Sequence, residues 1–430
     1  MLDRSQQPPL KTLEEYSIQH PVCRMLPNGV KLYLLDAGDT EVTRVDMVFN
    51  AGKFHQDYLL QSLFTNRMLR EGTRRFSRAD IAEKLDFYGA WMDLSVSYNH
   101  SFVTLYSLNK SLPQTLDLLE EMIKEPVFDQ GALEVVKSNN LQKHLVSLQQ
   151  TAVQARRLFQ RTVYGLEHPL GQIAEASDFQ RVDRDMLLDY FKRFYHSGNL
   201  SVYLTGRITE DCLKKVEALF GHPFGNVNEV SRDVNRPVAP LPVVHQFMEM
   251  KDSVQSSVCI GKSTVSLHHP DIVRLRVLLT LLGGYFGSRL MSTVREEKGY
   301  TYGIYAILNP TPIDNTLMII SDCDHKFVKP LLEEVYLQIE RLKEEAVSEE
   351  ELSLVKNSMK GEILRTYESR LSLSDAWIFV HTMGLPDSYF HDYWQGVSET
   401  TIEDLQRLAS VFLCKESLTE VVVGQKMSKK

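Results

Sequence analysis

The chain has 430 residues, of which 43% are hydrophobic and 24% are charged, so it is a globular protein rather than a disordered or collagen-like one. Its length predicts more than one domain. The formal net charge of −8 argues against a nucleic-acid partner and against a polybasic membrane anchor.

The N-terminal segment and the cysteines indicate where the protein resides. The first residues, Met1–Gln6, lack the apolar core of a signal peptide. No window approaches the roughly 18 consecutive apolar residues of a transmembrane helix. The five cysteines form no C-x-x-C pair, which favours free thiols in a reducing compartment. We therefore expect a cytoplasmic protein without a membrane segment.

The first half of the chain alternates strands and helices. Runs of β-branched and aromatic residues predict strands, and apolar residues at helical spacing predict helices. The predicted order is a strand at Val30–Leu35, a strand at Val45–Phe49, a helix from Leu59 to Met68, a helix from Ser77 to Gly89, paired strands at Trp91–Tyr98 and Phe102–Tyr106, and helices from Leu112 and Asp129. This order predicts an α+β fold with helices on one face of a mainly antiparallel sheet.

A similar order recurs about 218 residues later. A long helix at Leu133–Asn139 has a counterpart that begins at Ser348, where Glu351 completes a predicted capping box. In each half a helix also precedes a strand that ends at glycine: Met186–Phe191 before Leu200–Gly206, and Thr401–Leu405 before Leu418–Gly424. The repeat predicts two homologous α/β sandwich domains in a clam-shell arrangement.

A proline-containing stretch separates the two halves. Pro237, Pro240 and Pro242 lie among few apolar residues, which is typical of an extended linker. The predicted domains are residues 1–225 and 243–430, joined by a linker at 226–242.

Common motifs of catalytic and metal sites are missing from the sequence. The thirteen histidines include no pair at i, i+3 or i, i+4, and neither H-E-x-x-H nor H-x-x-E-H occurs. No G-x-S-x-G elbow is present, and the glycines of Gly283–Ser288 lack the lysine of a phosphate-binding loop. We expect Gly283 to end an apolar helix at Val277–Leu282, and a metal site built from distant residues stays open.

One segment of the second half carries a candidate binding pair. A helix with Arg295 stops at Gly299, and the strand that follows carries Tyr302. A guanidinium can donate to backbone carbonyls, and a phenol can donate to the oxygen that gains charge when a peptide carbonyl is attacked. The structural alternative is that Arg295 pairs with Glu297 or with helix carbonyls, while the tyrosines form a half-buried stripe.

Three motifs carry a resemblance to a known family. They are Leu26–Val30 before the first strand, a His-Pro turn at Glu167–Gly171, and Ser288–Leu290 followed by Arg295–Tyr302. With these motifs the chain resembles the insulinase/pitrilysin-like zinc peptidases, which include the mitochondrial processing peptidases and bacterial two-subunit peptidases, over nearly its whole length. The resemblance implies that Arg295 and Tyr302 hold the substrate backbone and stabilise the oxyanion.

The zinc motif of that family is degenerate in this chain. The family places H-x-x-E-H shortly before a Gly-Thr pair, here Gly72–Thr73, which puts Leu63, Asn66 and Arg67 at the motif positions. Leucine cannot bind zinc, Arg67 adds positive charge, and an asparagine cannot act as the general base. Only Glu134 falls near the family's third ligand. The resemblance therefore implies no zinc in this chain.

The resemblance also implies a partner. The chain would be the non-zinc subunit of a heterodimeric zinc peptidase, gripping an extended peptide by β-strand addition opposite a homologous subunit that holds the zinc. A homodimer stays open. Two other hypotheses are a peptide-binding or scaffold protein, like the core subunits that the family contributes to respiratory assemblies, and an enzyme with an unrecognised site.

Overall fold

The computed structural model describes residues 17–38, 40–226, 238–239 and 241–426. Residues 227–237 and 240 of the predicted linker, including Pro237 and Pro240, lie outside the described residues. The domain boundaries at 225 and 243 therefore stay a prediction.

The first half builds one sheet and eight helices within the described residues. Its strands are β1 (Val22–Met25), β2 (Lys31–Asp36), β3 (Val42–Phe49), β4 (Trp91–Val96), β5 (Ser101–Leu108) and β6 (Leu200–Gly206). Its helices are α1 (Gln61–Met68), α2 (Arg78–Phe87), α3 (Leu112–Lys124), α4 (Gln130–Ser147), α5 (Thr151–Tyr164), α6 (Ala176–Arg181), α7 (Arg184–Phe194) and α8 (Glu210–Phe220).

The second half repeats this plan. Its strands are β7 (His245–Glu249), β8 (Ser256–Thr264), β9 (Thr301–Pro310), β10 (Asn315–Cys323) and β11 (Thr419–Gly424). Its helices are α9 (Ile272–Leu279), α10 (Val328–Glu344), α11 (Glu349–Glu368), α12 (Arg370–Thr382), α13 (Tyr389–Glu399) and α14 (Ile402–Phe412). Two π-helical segments, Thr280–Gly284 and Met291–Glu297, lie between α9 and β9.

The two sheets have equivalent topologies. The strand order is β1-β2-β6-β3-β5-β4 in the first sheet and β7-β11-β8-β10-β9 in the second. The pairs β2–β6 and β7–β11 are parallel, and the remaining neighbours are antiparallel. The predicted architecture, a mainly antiparallel sheet with helices made twice, is confirmed. Strands β4 and β9 occupy equivalent outer edges.

One detail of the predicted repeat is wrong. The Ser348 side chain accepts a hydrogen bond from the Glu351 amide, as expected. The Glu351 carboxylate does not return to Ser348 to complete a capping box. It instead forms two hydrogen bonds of 2.8 Å with Arg289, because that guanidinium offers a planar fork that matches a carboxylate. Ser77 and Asp80 of α2 do form a complete capping box.

Each sheet is also covered by a helix from the other half. Helix α5 packs on β8 and β11, where Ala155 and Phe159 join Cys259 and Val421 in one apolar cluster. Helix α12 packs on β6 and β2, and Ile378 contacts the cluster of β3 and β6. The sequence predicted helices on one face only. Because both faces are covered, β3 is buried along nearly its whole length instead of alternating.

Polar contacts fix α12 on the first sheet. Arg44 of β3 pairs with Asp46 at 2.8 Å and with Asp375 of α12 at 2.6 Å. Thr205 donates to Ser374 at 2.8 Å. Arg44 and Asp46 are almost inaccessible, so each charge needs the other to offset the loss of its hydration.

None of the helices within the described residues is long and apolar enough to cross a bilayer. The five cysteines are free thiols.

Candidate functional site

Helix α1 carries the positions where the family motif would lie. Both polar atoms of the Asn66 side chain, at its centre, are hydrogen-bonded within the fold. Its amide group donates to the carbonyl oxygens of Ser95 at 2.9 Å and Phe102 at 3.0 Å, which face each other across β4 and β5. Its carbonyl oxygen accepts from the buried hydroxyl of Tyr195 at 3.1 Å. Asn66 is inaccessible to solvent. It therefore ties α1 to the outer hairpin and offers nothing to a ligand.

The side chains at the other two motif positions, Leu63 and Arg67, are not metal ligands either. Leu63 is a half-buried hydrocarbon. Arg67 is half-buried, and burial together with the nearby Arg70 lowers the pKa of its guanidinium. Arg67 forms no ion pair with a described acidic residue. A guanidinium in this place repels a dication.

Glu134 does not complete a ligand set. It lies exposed on α4, where it accepts hydrogen bonds from Gln130 at 3.0 Å and Lys137 at 3.2 Å. No group of three or more His, Cys, Asp or Glu side chains in the described part of the chain could hold a metal ion. The side chains present at the motif positions do not fit zinc, so no chemical step in this chain can be assigned to that metal.

The second half places Arg295 in the π-helical segment that precedes β9. Its guanidinium lies over the ring of Phe286, with 4.6 Å between the guanidinium carbon and the ring centroid. The Nη1 atom is buried and has no hydrogen-bond partner. The predicted alternative, an ion pair with Glu297 or a cap on helix carbonyls, is not what the structure shows. An unpaired guanidinium nitrogen on an aromatic face is suited to a carbonyl or carboxylate oxygen of a ligand.

The turn between Arg295 and Tyr302 is firmly anchored. Gly299 has a φ of 63°, a conformation that costs glycine little, and the Tyr300 amide bonds to the Val294 carbonyl at 3.0 Å. Lys298 pairs with Glu334 of α10. The ring of Tyr300 stacks on Phe327 at 4.9 Å. These contacts fix where β9 begins.

Tyr302 lies at the start of β9 and is 98% exposed. Its hydroxyl has no partner among the described residues. The prediction of a half-buried tyrosine stripe is therefore wrong for this residue, although Tyr305 is 49% exposed and Tyr300 is half-buried. The structure places Arg295 and Tyr302 on adjoining elements, and no hydrogen bond joins their side chains.

Sequence reasoning missed three contributors to this region. Phe286 supports Arg295, the pair of Arg289 and Glu351 fixes the segment that precedes it, and Thr301 hydrogen-bonds around the start of β9. Arg289 was visible in the motif, but its partner lies on another helix. Sequence spacing cannot show such a contact.

The predicted helix stop at Gly283 and the predicted His-Pro turn at Glu167–Gly171 agree with the structure. The helix α9 runs into the π segment that ends at Gly284, and the backbone at Gly283 leaves the helical region. A side chain at Gly283 would meet the Ala306 amide nitrogen at 2.6 Å, so close packing against β9 requires glycine. His168 is a turn residue, whose Nδ1 accepts the Leu170 amide at 3.2 Å.

Two family models match the chain. The family described as "Insulinase (Peptidase family M16)" matches residues 35–169, and the family described as "Peptidase M16 inactive domain" matches residues 181–359. Together they cover elements of both halves.

Curated relatives include proteins described as zinc proteases and one described as a non-peptidase homolog. An uncharacterized zinc protease of Bacillus subtilis is 24% identical over 80% of this chain and 83% of its own length. A protein of Helicobacter pylori described as a non-peptidase homolog is 24% identical over 86% of this chain and 85% of its own. The beta subunit of the yeast mitochondrial-processing peptidase is 20% identical over 96% and 94%.

Solved structures share the fold. A peptidase M16 inactive domain from Pseudomonas fluorescens superposes with a TM-score of 0.85 at 22% identity, covering 95% of this chain and 99% of that one. A chain of Complex III2 from Candida albicans gives a TM-score of 0.74 at 12% identity, covering 94% and 95%. The two family models, which together match residues 35–169 and 181–359, show that the chain belongs to the insulinase-like peptidase family M16, and the residues at 63, 66 and 67 make it a member that lacks the zinc motif.

Proposed function

We propose that this chain is the non-zinc subunit of a heterodimeric zinc peptidase, in which Arg295 and Tyr302 grip the peptide beside the zinc of a homologous partner. The observation that carries the proposal is a contrast in hydrogen bonding. Asn66 has all its polar atoms satisfied inside the fold, whereas Arg295 Nη1 and the Tyr302 hydroxyl have no partner among the described residues.

The first half supports the absence of a metal role. A peptidase zinc site needs three protein ligands and an open position for water. Leu63 and Arg67 supply no ligand atoms for that purpose, and Asn66 is held by Ser95, Phe102 and Tyr195. The metal and the attacking water therefore have to come from another chain.

The second half supports substrate contact. A buried donor without a partner carries a free-energy cost of about 1–3 kcal/mol, which a ligand oxygen would remove. Arg295 Nη1 is such a donor. The exposed Tyr302 phenol can donate to an oxygen that becomes negatively charged during attack on a peptide carbonyl.

Strand β9 offers a way to hold the peptide backbone. It is the outer strand of its sheet, so one of its sides lacks a strand neighbour within the described residues. Tyr305 and Ile307 of this strand are exposed on one face of the sheet. An extended peptide can pair with such an edge through main-chain hydrogen bonds, and alternate side chains then contact the sheet surface.

The proposal is tested by co-expression with a similar chain that carries H-x-x-E-H. The single chain should hydrolyse no peptide in a chelator-sensitive way, and the pair should cleave a quenched fluorescent peptide library. Arg295→Ala or Tyr302→Phe should lower the activity of the pair by about 10²–10³-fold, as expected for loss of an oxyanion donor.

Matched controls separate these effects from damage to the fold. Arg365→Ala removes a largely exposed arginine whose pair with Glu362 is 3.9 Å long, and Tyr58→Phe removes the hydroxyl of a tyrosine that is 55% exposed. Both should leave the activity of the pair unchanged. The proposed role would be rejected if heterodimers that contain the Arg295→Ala or Tyr302→Phe variant were fully active. Chelator-sensitive cleavage by the chain alone would also reject it.

A scaffold or peptide-binding protein without catalysis is the second candidate. It is favoured by the shared fold with the Complex III2 chain and by the name of the Helicobacter pylori relative. A scaffold needs no unpaired donors at Arg295 and Tyr302. Recovery of the chain from its native host with a non-peptidase assembly, rather than with a zinc-bearing homologue, would favour this candidate. A cytoplasmic location stays a prediction, testable by fractionation of the same host.

A further inference from the structure

Strand β9 contains one extra residue relative to β10. Ile304 lies opposite Ser321, but Thr301 lies opposite Cys323. Three steps along β9 therefore match two steps along β10, and both Tyr302 and Gly303 face the single residue Asp322. This arrangement is a β-bulge, which bends a strand and changes the direction of its side chains.

The bulge determines which side chain faces the core. Cys323 is 4% exposed and belongs to the core of the second half. Residues directly opposite each other share a face of the sheet. In an unbroken register Tyr302 would lie opposite Cys323 and point into the core. In the observed register Thr301 takes that place, and Tyr302 is turned into solvent.

Hydroxyl groups hold the bulge in place. The Thr301 Oγ1 atom lies 2.6 Å from the Asp322 carbonyl oxygen and 2.9 Å from that of Gly303, and it accepts the Gly303 amide at 3.0 Å. The Ser321 hydroxyl lies 2.9 Å from the same Gly303 oxygen and 3.1 Å from Thr301 Oγ1. Backbone groups that lose their ladder partners at the bulge are thus satisfied by two side chains.

Gly303 makes the bulge compact. A Cβ atom at this position would lie 2.9 Å from the Tyr305 hydroxyl and 3.1 Å from its ring. A larger residue would push Tyr305 aside. The lack of a side chain at Gly303 and the hydroxyls of Thr301 and Ser321 therefore all act on residues 301–303 of β9.

We infer that Thr301 and Ser321 are positioning residues for Tyr302, because they stabilise the bulge that directs its phenol out of the core. The importance of this device for peptide cleavage rests on the proposed function. The positioning of Tyr302 by Thr301 and Ser321 does not depend on the proposed function, because it concerns only the register of β9 against β10.

The test measures the exposure of Tyr302 directly. The full chain is nitrated with tetranitromethane, and the rates at Tyr302 and Tyr305 are read by mass spectrometry of the digested protein. In the unmodified chain Tyr302 should react faster, since it is 98% exposed against 49% for Tyr305. Thr301→Val with Ser321→Ala should lower the Tyr302 rate relative to Tyr305 by about threefold or more, because the bulge then loses both hydroxyls that satisfy its backbone groups.

Conservative and remote variants provide the controls. Thr301→Ser keeps the hydroxyl and should keep the unmodified ratio. Thr382→Val removes a hydroxyl that donates to a helix carbonyl at 2.7 Å on α12, and it should leave the ratio unchanged. The milder Ser321→Ala variant answers the question if the double variant does not fold. An unchanged Tyr302 to Tyr305 ratio in folded Ser321→Ala and Thr301→Val chains would overturn the inference.

Activity separates this inference from the proposed function. If the ratio falls and the zinc-bearing pair also loses turnover, both stand. If the ratio falls while turnover of the pair is unchanged, Tyr302 has no catalytic role, and the positioning by Thr301 and Ser321 still holds.

Discussion

The two halves of this chain have the same architecture, yet Asn66 in the first half and Arg295 and Tyr302 in the second differ in how their polar atoms are hydrogen-bonded. In the first half, the side-chain amide of Asn66 forms hydrogen bonds with Ser95, Phe102 and Tyr195. In the second half, Arg295 keeps a buried nitrogen without a partner, and Tyr302 stands in solvent. The polar atoms of Asn66 are thus occupied within the fold, whereas those of Arg295 and Tyr302 are not.

The difference also shows in what supports each site. The polar contacts of Asn66 are part of the fold and cannot be removed without cost. Arg295 and Tyr302 are positioned by Phe286, the Gly299 turn and the bulge at Gly303. Their own side chains contribute few contacts to the stability of the fold. Substitutions should therefore affect stability in the first half and ligand contact in the second.

The largest effect on stability is expected at Asn66. Asn66→Ala removes three hydrogen bonds in the interior and leaves the Tyr195 hydroxyl without its acceptor, so the free energy of unfolding should fall by about 2–4 kcal/mol. Urea unfolding followed by circular dichroism measures this. Arg67→Leu, one residue away and without an ion pair to a described residue, should change stability by less than about 1 kcal/mol. Equal effects of the two changes would remove the structural role assigned to Asn66.

A pH dependence should arise in the same hairpin. Burial, with a smaller contribution from His55, lowers the pKa of His100 to about 4. The unfolded chain binds a proton at this histidine near its ordinary pKa of about 6.5, so stability should fall as the pH drops from about 6.5 towards 4. The loss assigned to His100 should be about 1–2 kcal/mol by pH 5.

The variant His100→Gln cannot take up this proton. Its urea midpoint should therefore vary less between pH 7 and pH 5 than that of the unmodified chain. A variant with the same acid sensitivity as the unmodified chain would assign the effect to other groups.

A smaller effect is expected where the second half anchors its motif. Glu351→Gln weakens both hydrogen bonds from Arg289, which are half-buried, and should reduce stability by about 1–2 kcal/mol. Thermal unfolding of this variant should be compared with Glu362→Gln, which alters an exposed pair on the same helix and should have little effect.

The smallest effect on stability is expected at Tyr302 itself. Tyr302→Phe removes a hydroxyl that bonds to no described residue, so the unfolding free energy should change by less than about 0.5 kcal/mol. Isothermal unfolding in urea measures this value. A loss above about 1 kcal/mol would show that the phenol belongs to the fold, and the contrast between the halves would then fail.

Local patterns in the sequence predicted much of the fold because they depend on neighbouring residues. Strand composition located β2, β3, β6 and β11, and the predicted helix from Ser77 to Gly89 corresponds to α2, which begins at the Ser77–Asp80 capping box. The motif placed Arg295 before a glycine stop and Tyr302 on the following strand, which the structure confirms.

Contacts between distant residues could not be predicted in this way. An amphipathic helix such as α5 shows that one of its faces is buried, but not which sheet covers it. The second partner of Arg44, Asp375, lies in the other half of the chain. The bulge at Tyr302 depends on the register with β10, and a one-residue shift changes the face of every side chain beyond it.

The mutual cover by α5 and α12 limits how this protein can open. A hinge about the connecting segment would pull α5 from β8 and β11 and α12 from β6 at the same time, exposing Phe159 and Ile378 and parting Arg44 from Asp375. Admission of a peptide by separation of the halves would therefore be costly. Under the proposed function, a peptide would therefore enter at an outer edge of the chain or through movement of the partner subunit relative to it.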